Sequence, residues 1–167
     1  LAVWCQQRNI LFVHDDSFID FSVEPPTFFK DDIFEQYSNL VVIKSISKSY
    51  GVPSLRLGIL ATSNVDVMTV IRRSVSIWNI NSFAEFFLQI LGKYEASYQQ
   101  AMDEFRAERA RFVDELHKVS FLRVLPSEAN YLLCEVKQPH APRELAIRLL
   151  KDYDILIKDC TSKCNAP

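Results

Sequence analysis

The segment SISKSYGVPSLRLG, residues 45–58, overlaps the β-branched run LVVIKSI (40–46) at one end and the apolar run LRLGILAT (55–62) at the other. Both runs are too short for a normal helix and rich in branched aliphatic residues, which predicts two strands flanking a polar loop. Within the loop, Gly51 and Pro53 shape the turn. Lys48 follows two small hydroxyl residues, Ser45 and Ser47, and Arg56 stands beyond the turn. Two hydroxyls and a guanidinium gathered round one loop make a phosphate site: each hydroxyl donates one hydrogen bond, and the guanidinium binds two oxygens at once. A lysine beside that anion can bond a carbonyl compound when its amine is neutral. An isolated lysine is ordinarily a solvated charge. The connected roles of the glycine, proline, arginine and two serines favour the functional reading.

Working upstream, ILFVH (10–14) is a strand-sized apolar run that ends at Asp15. In open α/β sheets, ligands bind at the carboxyl ends of the strands. A carboxylate there can pair with a protonated heterocycle or a cation, the ordinary alternative being a helix cap or turn acid. Asp16 reads as an acceptor for local backbone donors. The EPP at 24–26 fixes a loop, and DIFEQY (32–37) makes a brief helix with Asp31 or Asp32 available as its cap.

Downstream the period changes. Residues 65–75 predict a helix, on which Arg72 and Arg73 read as a solvated basic turn, the alternative being a face toward an anionic substrate or a partner subunit. After WNINS, residues Phe83, Phe86, Phe87, Ile90, Leu91 and Tyr94 recur every three or four positions, giving one apolar helical face. The pattern continues through Met102, Phe105, Phe112 and Leu116, a length that predicts a bend or break near Gly92. FLRVL (121–125), NYLLCEV (130–136) and DILIKDC (154–160) are three further strand candidates, and Pro142 opens a helix over RELAIRLLKDY. The expected organisation is an α/β part at 1–92, a joining helix at 93–117 and a small α+β part at 118–167.

Composition narrows the function classes. Among 167 residues, 49% are hydrophobic and 24% charged, as in an ordinary globular protein. With 19 basic residues against 21 acidic ones, the net charge of -2 provides no global field to recruit nucleic acid or an anionic membrane. No apolar run is long enough to span a bilayer, and the start, LAVWCQQRNILFVHDD, does not read as a signal peptide. Four scattered cysteines and three histidines disfavour both a disulfide scaffold and a zinc site, and reduced cysteines fit a cytoplasmic protein.

SISKSYGVPSLRLG resembles the cofactor-lysine segment of fold-type I, class I/II aminotransferases that use pyridoxal 5′-phosphate, and is most similar to the histidinol-phosphate aminotransferase branch. HDDSFIDF (14–21), WNINSFAE (78–85) and PSEANYLL (126–133) resemble further segments of that family, so the likeness runs along the whole chain. The resemblance implies a PLP-dependent transferase-like α/β fold in which part of the large-domain sheet is joined by a long helix to a small α+β domain. It implies that Lys48 is the Schiff-base lysine and general acid/base, and that Asp15 faces the pyridinium nitrogen. Ser45, Ser47 and Arg56 would hold the cofactor phosphate, and Phe18 would lie at the ring. The implied reaction moves an amino group between an amino acid or amino-phosphate and a 2-oxo acid. The alternatives are a decarboxylase resembling threonine-phosphate decarboxylase, or a non-catalytic aminotransferase-like domain. Family likeness also implies a homodimer acting on small-molecule amines and 2-oxo acids.

Three departures accompany the likeness. Phe18 stands where the family commonly has a tyrosine, so the ring is kept and its hydroxyl is lost. No segment resembles the family's upstream phosphate loop, cofactor-stacking aromatic or N-P-x-x-P-T-G sequence. The chain also stops before the late strand that carries the arginine for a substrate carboxylate. The expectation is therefore a central and C-terminal part of such an enzyme, truncated at both ends.

Overall fold

A computed structural model describes residues 1–24 and 28–164, with Cys164 described by its backbone alone. The chain divides into two compact units, Leu1–Arg106 and Ala107–Pro167. The first contains helix α1 (Ala2–Gln6), strand β1 (Phe12–Asp15), helix α2 (Asp31–Gln36), strand β2 (Leu40–Ser45) and helix α3 (Ile46–Ser49). Strand β3 (Gly58–Ala61), helices α4 (Val65–Ser74) and α5 (Ser82–Leu91), and the first half of helix α6 (Glu95–His117) complete it.

The sheet order is β1-β2-β3. Strand β1 runs parallel to β2, with Phe12 opposite Leu40 and Asp15 opposite Ile43. Strand β3 returns antiparallel, with Ser45 opposite Gly58. As the middle strand, β2 is covered where Leu40, Val41 and Val42 stand, and Leu40 and Val42 have no exposed surface. That position explains why its sequence is a continuous apolar run rather than an alternating one.

Two asparagines start the ten-residue helices α4 and α5. Asn64 Oδ1 accepts from the Val67 N–H at 3.0 Å, and Asn81 Oδ1 accepts from the Ala84 N–H at 3.0 Å; each thereby satisfies a donor that the first helical turn leaves open. The cap expected from Asp31 or Asp32 is not formed. Lys30 precedes α2 without a side-chain cap, and both aspartates lie in the first turn, where their charge faces the positive end of the helix. The break expected near Gly92 is present: α5 ends at Leu91, a 3₁₀ turn covers Gly92–Tyr94, and α6 starts at Glu95. Gly92 keeps a right-handed helical φ of -59, so the path tightens there without reversing. Pro25 and Pro26 of the expected EPP loop lie outside the described residues.

The second unit has the remainder of α6, an antiparallel pair of strands β4 (Leu122–Val124) and β5 (Cys134–Val136), and helices α7 (Pro142–Tyr153) and α8 (Thr161–Cys164). Two expectations are corrected here. Of NYLLCEV only residues 134–136 pair as a strand; just before them, the Tyr131 carbonyl accepts from Ser127 Oγ at 2.6 Å in a local turn. DILIKDC forms no strand among the described residues. Asp154 adopts φ 55 at the end of α7, and the Ile155 N–H turns back to the Leu149 carbonyl at 3.1 Å. An apolar ILI pattern becomes a strand only where a neighbouring edge takes up its backbone groups.

Among the described residues, no helix is long and apolar enough to cross a membrane, and no group of three His, Cys, Asp or Glu side chains is gathered to hold a metal.

Candidate active site at the carboxyl ends of two parallel strands

The parallel pairing of β1 and β2 brings Asp15 and Ser45 to the same end of the sheet. Two hydrogen bonds tie that end together. The Asp16 N–H donates to the Ile43 carbonyl at 2.8 Å, and the Ser45 N–H donates to Ser17 Oγ at 2.9 Å. The chain then leaves β2 through α3, which carries Ser47 and Lys48, and returns to pair Gly58 with Ser45. A bond from the Ile46 N–H to the Leu57 carbonyl, 3.2 Å, closes the base of this loop. Arg56, one residue before Leu57, therefore comes back to the end of β2 from which Ser47 and Lys48 depart.

The loop is supported from below by a small apolar cluster. Ile46, Leu57 and Ala84 are buried together, with Tyr50, Val52, Leu55 and Phe87 packed against them. Burial of Ile46 and Ser47 leaves Lys48 on the exposed side of the turn, as the i to i+1 geometry of a helix requires. Gly51 adopts φ 64, the left-handed region where a glycine is unstrained. Arg56 also lies there, with φ 55 and ψ 42; its Nη1 donates to the Pro53 carbonyl at 3.2 Å and the rest of the guanidinium is exposed.

Asp15 is exposed, and one of its oxygens accepts from the Ser17 N–H at 2.9 Å. The Ser17 hydroxyl and then its backbone N–H hold the Asp15 carboxyl below its ordinary value of 3.8, with a smaller contribution from the His14 side chain and some opposition from burial. The group is therefore ionised at neutral pH. Phe18 follows in the same turn, and Lys48 Nζ stands 5.9 Å from the centre of its ring, within the range of a cation–π contact.

Asp16 differs from its expected role. It is 1% exposed and receives no backbone donor. His14 Nε2 approaches its Oδ1 at 2.7 Å, but the contact is not aligned as a hydrogen bond.

A polar cluster beside the Lys48 turn was not foreseen from the sequence. Asp20 accepts from Lys44 Nζ at 2.5 Å and from Ser49 Oγ at 2.6 Å. Burial opposes the Asp20 charge, but Lys44 and Ser49 outweigh it and lower its pKa. Arg106 Nη2 donates to the Asp20 carbonyl at 2.8 Å, and Arg106 Nε to the Ser22 carbonyl at 2.9 Å. Tyr98 stacks on Tyr50 with ring centres 4.1 Å apart. Its buried hydroxyl adjoins Ser49 and Asp20 without an aligned hydrogen bond. One signal was present in the sequence: Lys44 is an ionisable residue inside an apolar strand, where a buried charge requires a counter-charge.

These residue types suit a phosphorylated pyridine aldehyde. An exposed amine lies over an aromatic ring, an ionised carboxylate ends the neighbouring strand, and hydroxyls and a guanidinium share the loop. The open groove among Phe29, Phe34, Leu60, Thr62 and Met68 contains none of them.

Comparison with known proteins gives the same frame. The model of the family "Aminotransferase class I and II" matches residues 1–163. Threonine-phosphate decarboxylase of Salmonella typhimurium is 32% identical over 162 residues, covering 97% of this chain and 43% of that protein. CMP-5'-(3-aminopropyl)phosphonate synthase of Streptomyces rubellomurinus is 32% identical over 155 residues, covering 93% of this chain and 24% of that one. Among solved structures, the histidinol-phosphate aminotransferase of Clostridium acetobutylicum superposes with a TM-score of 0.85 at 30% identity, covering 96% of this chain and 47% of that one. The chain thus spans less than half the length of these relatives. A family match along nearly all of its length, on the mixed α/β architecture described above, means that the chain belongs to the class I and II aminotransferases, fold-type I proteins whose cofactor is pyridoxal 5′-phosphate.

Proposed function

We propose that the chain is the lysine-bearing part of a pyridoxal-phosphate enzyme acting on a small amine that carries a phosphate, with decarboxylation of a phosphorylated amino acid as its reaction. The observation that carries the reading is the juxtaposition of Lys48, over the Phe18 ring, with Asp15 at the adjoining parallel strand end. The phosphorylated-amino-acid class is supported by likeness to a threonine-phosphate decarboxylase across 97% of the chain.

In this reading Lys48 would hold the cofactor at its aldehyde, and Ser45, Ser47 and Arg56 would be the hydrogen-bond donors that hold its phosphate. Asp15, kept ionised by Ser17, would pair with the ring nitrogen and favour its protonated form. Phe18 covers one side of the site and excludes water there, without the hydroxyl a tyrosine would add. Pyridoxal phosphate, when bound, supplies a ring that accepts the electron pair of the bond broken at the substrate's α-carbon. Lys48 would be the group that moves a proton at the substrate's α-carbon; for decarboxylation, its ammonium would supply the proton that takes the place of the departing CO₂.

Aminotransfer is the second reading, favoured by the superposition on a histidinol-phosphate aminotransferase. In that case Lys48 would be the base that takes the α-proton, and the substrate would leave as an oxo compound, its amino group passing on to a 2-oxo acid. The deciding experiment has two stages. Purified protein is mixed with pyridoxal phosphate and reduced with borohydride; a stable adduct on the peptide containing Lys48, absent from Lys48→Ala, is expected. O-phosphothreonine and O-phosphoserine are then supplied, and release of one CO₂ per amine formed supports decarboxylation. Formation of a 2-oxo acid without CO₂ supports aminotransfer instead. No adduct at Lys48 overturns both readings, and leaves a non-catalytic domain of the family.

A further inference from the structure

The polar cluster beside α3 has no assigned role in the chemistry above, although it touches the residue next to Lys48. Asp20 lies two residues beyond Phe18, in the 3₁₀ turn Ile19–Phe21. Its carboxylate takes Ser49 Oγ at 2.6 Å and Lys44 Nζ at 2.5 Å. Ser49 is buried, so this hydroxyl has little competition from water. The turn itself is anchored on its other side: Arg106 holds the carbonyls of Asp20 and Ser22, and Phe21 packs on Phe105 with ring centres 5.1 Å apart.

Two segments that meet at the lysine are thereby fixed to each other. One bears Phe18, the ring beneath Lys48 Nζ, and the other is the single helical turn that bears Lys48. That turn is only four residues long and has no side-chain cap at its start. Such a short helix has little stability of its own. Ser49 Oγ makes a side-chain hydrogen bond from α3 to the Phe18 turn, at Asp20 Oδ2.

We infer that Asp20 is a positioning residue for Lys48: by holding Ser49 while paired with Lys44, it sets the attitude of the α3 turn, and so where the Lys48 amine meets an aldehyde. This rests on the reading of Lys48 as the cofactor lysine. Capture of the aldehyde condenses the amine with the carbonyl carbon and releases water. Its rate depends on the approach of nitrogen to carbon, whereas grip on the phosphate depends on other residues of the loop.

Ser49→Ala tests this with less risk to folding than a change at Asp20, and Asp20→Asn serves as the companion. Two quantities are measured on purified protein at a temperature well below melting. The first is the rate at which pyridoxal phosphate becomes trapped by borohydride on the Lys48 peptide. The second is the affinity for pyridoxine 5′-phosphate, which has the same phosphate and ring but no aldehyde. The expected result is capture slowed about tenfold or more, with pyridoxine phosphate affinity within about twofold of the unchanged protein. If both quantities fall together, the cluster only maintains the fold and the inference is overturned. Unchanged capture in Ser49→Ala overturns it as well. If the unsubstituted protein gives no Lys48 adduct, the cofactor reading falls first and takes this inference with it. An ordinary adduct with insensitive variants removes the positioning role alone.

Discussion

The backbone N–H of Ser45 donates to the side chain of Ser17 at 2.9 Å, fastening the end of β2 to the turn that follows β1. The same Ser17 gives its own N–H to Asp15 at 2.9 Å. One small residue thus joins the acid at one strand end to the start of the lysine loop at the other.

Ser17→Ala is expected to raise the Asp15 pKa toward its ordinary 3.8, because the hydroxyl is the largest cause of its lowering. The loss of a part-buried hydrogen bond also costs about 1–2 kcal/mol of stability. Carboxyl titration by NMR and denaturant unfolding measure the two effects, and an unmoved Asp15 would show that the backbone N–H suffices.

The Asp20 cluster predicts an acid limit to stability. The folded Asp20 pKa is depressed below 3.8, so the charged form is favoured in the folded state. Its contribution is complete above the unfolded value and is lost as pH falls through the folded one. The stability gap between the unchanged protein and Asp20→Asn is therefore expected to be level near neutral pH and to shrink below about pH 4. Urea unfolding at several pH values reads this directly, and a gap that widens on acidification would contradict it.

Tyr98 predicts the alkaline side. Burial first, then the nearby charges of Asp20 and the Tyr50 ring hydroxyl, raise its pKa well above the usual 10.0. A raised pKa favours the protonated form in the folded state, so this contribution is whole below pH 10.0 and is lost only as pH rises toward the folded value. Spectrophotometric titration is expected to show a late-ionising phenol that Tyr98→Phe removes.

Asn81 performs two tasks with one amide. Its oxygen accepts from Ala84 N–H at 3.0 Å, and its nitrogen donates to the Leu55 carbonyl at 2.9 Å. Asn81→Ala is expected to cost about 1–2 kcal/mol, the upper part of the range for a helix cap. Asn64, whose second bond to the Ser38 carbonyl is longer at 3.2 Å, is expected to cost about 1 kcal/mol on the same change. Thermal unfolding of the two variants ranks them.

Arg56→Ala is expected to weaken pyridoxine 5′-phosphate binding by about tenfold or more, with Arg56→Lys recovering only part, since a lysine offers one charge where the guanidinium offers paired donors. Calorimetric titration measures it; equal binding by all three proteins would remove Arg56 from the phosphate site.

Strand positions in the first unit were legible because burial leaves a local mark. LVVIKSI is apolar without alternation, and the middle strand of a sheet demands that. The break at Gly92 was legible for a similar reason, a helical period too long to continue unbroken. DILIKDC carries the same kind of apolar mark but pairs with no described strand, since pairing is a property of a neighbour and not of the segment itself. Lys48, Asp15 and Arg56 could be singled out by residue type and spacing, but that their segments adjoin the same end of β2 depends on the pairing of β1 with β2 and of β2 with β3. The Asp20 cluster was hidden because Asp20, Lys44, Ser49 and Tyr98 are brought together across long stretches of chain. Only the charge of Lys44 within an apolar strand hinted at it.

The left-handed backbone of Arg56 has an effect on any attempt to make the protein more heat-resistant. A side-chain-bearing residue there gives up about 1 kcal/mol relative to glycine, which adopts the same angles freely. A screen scored on melting temperature alone would therefore reward glycine at this position, and in doing so would delete the cation. Hardening the scaffold and keeping the proposed anion grip are opposing goals at a single residue.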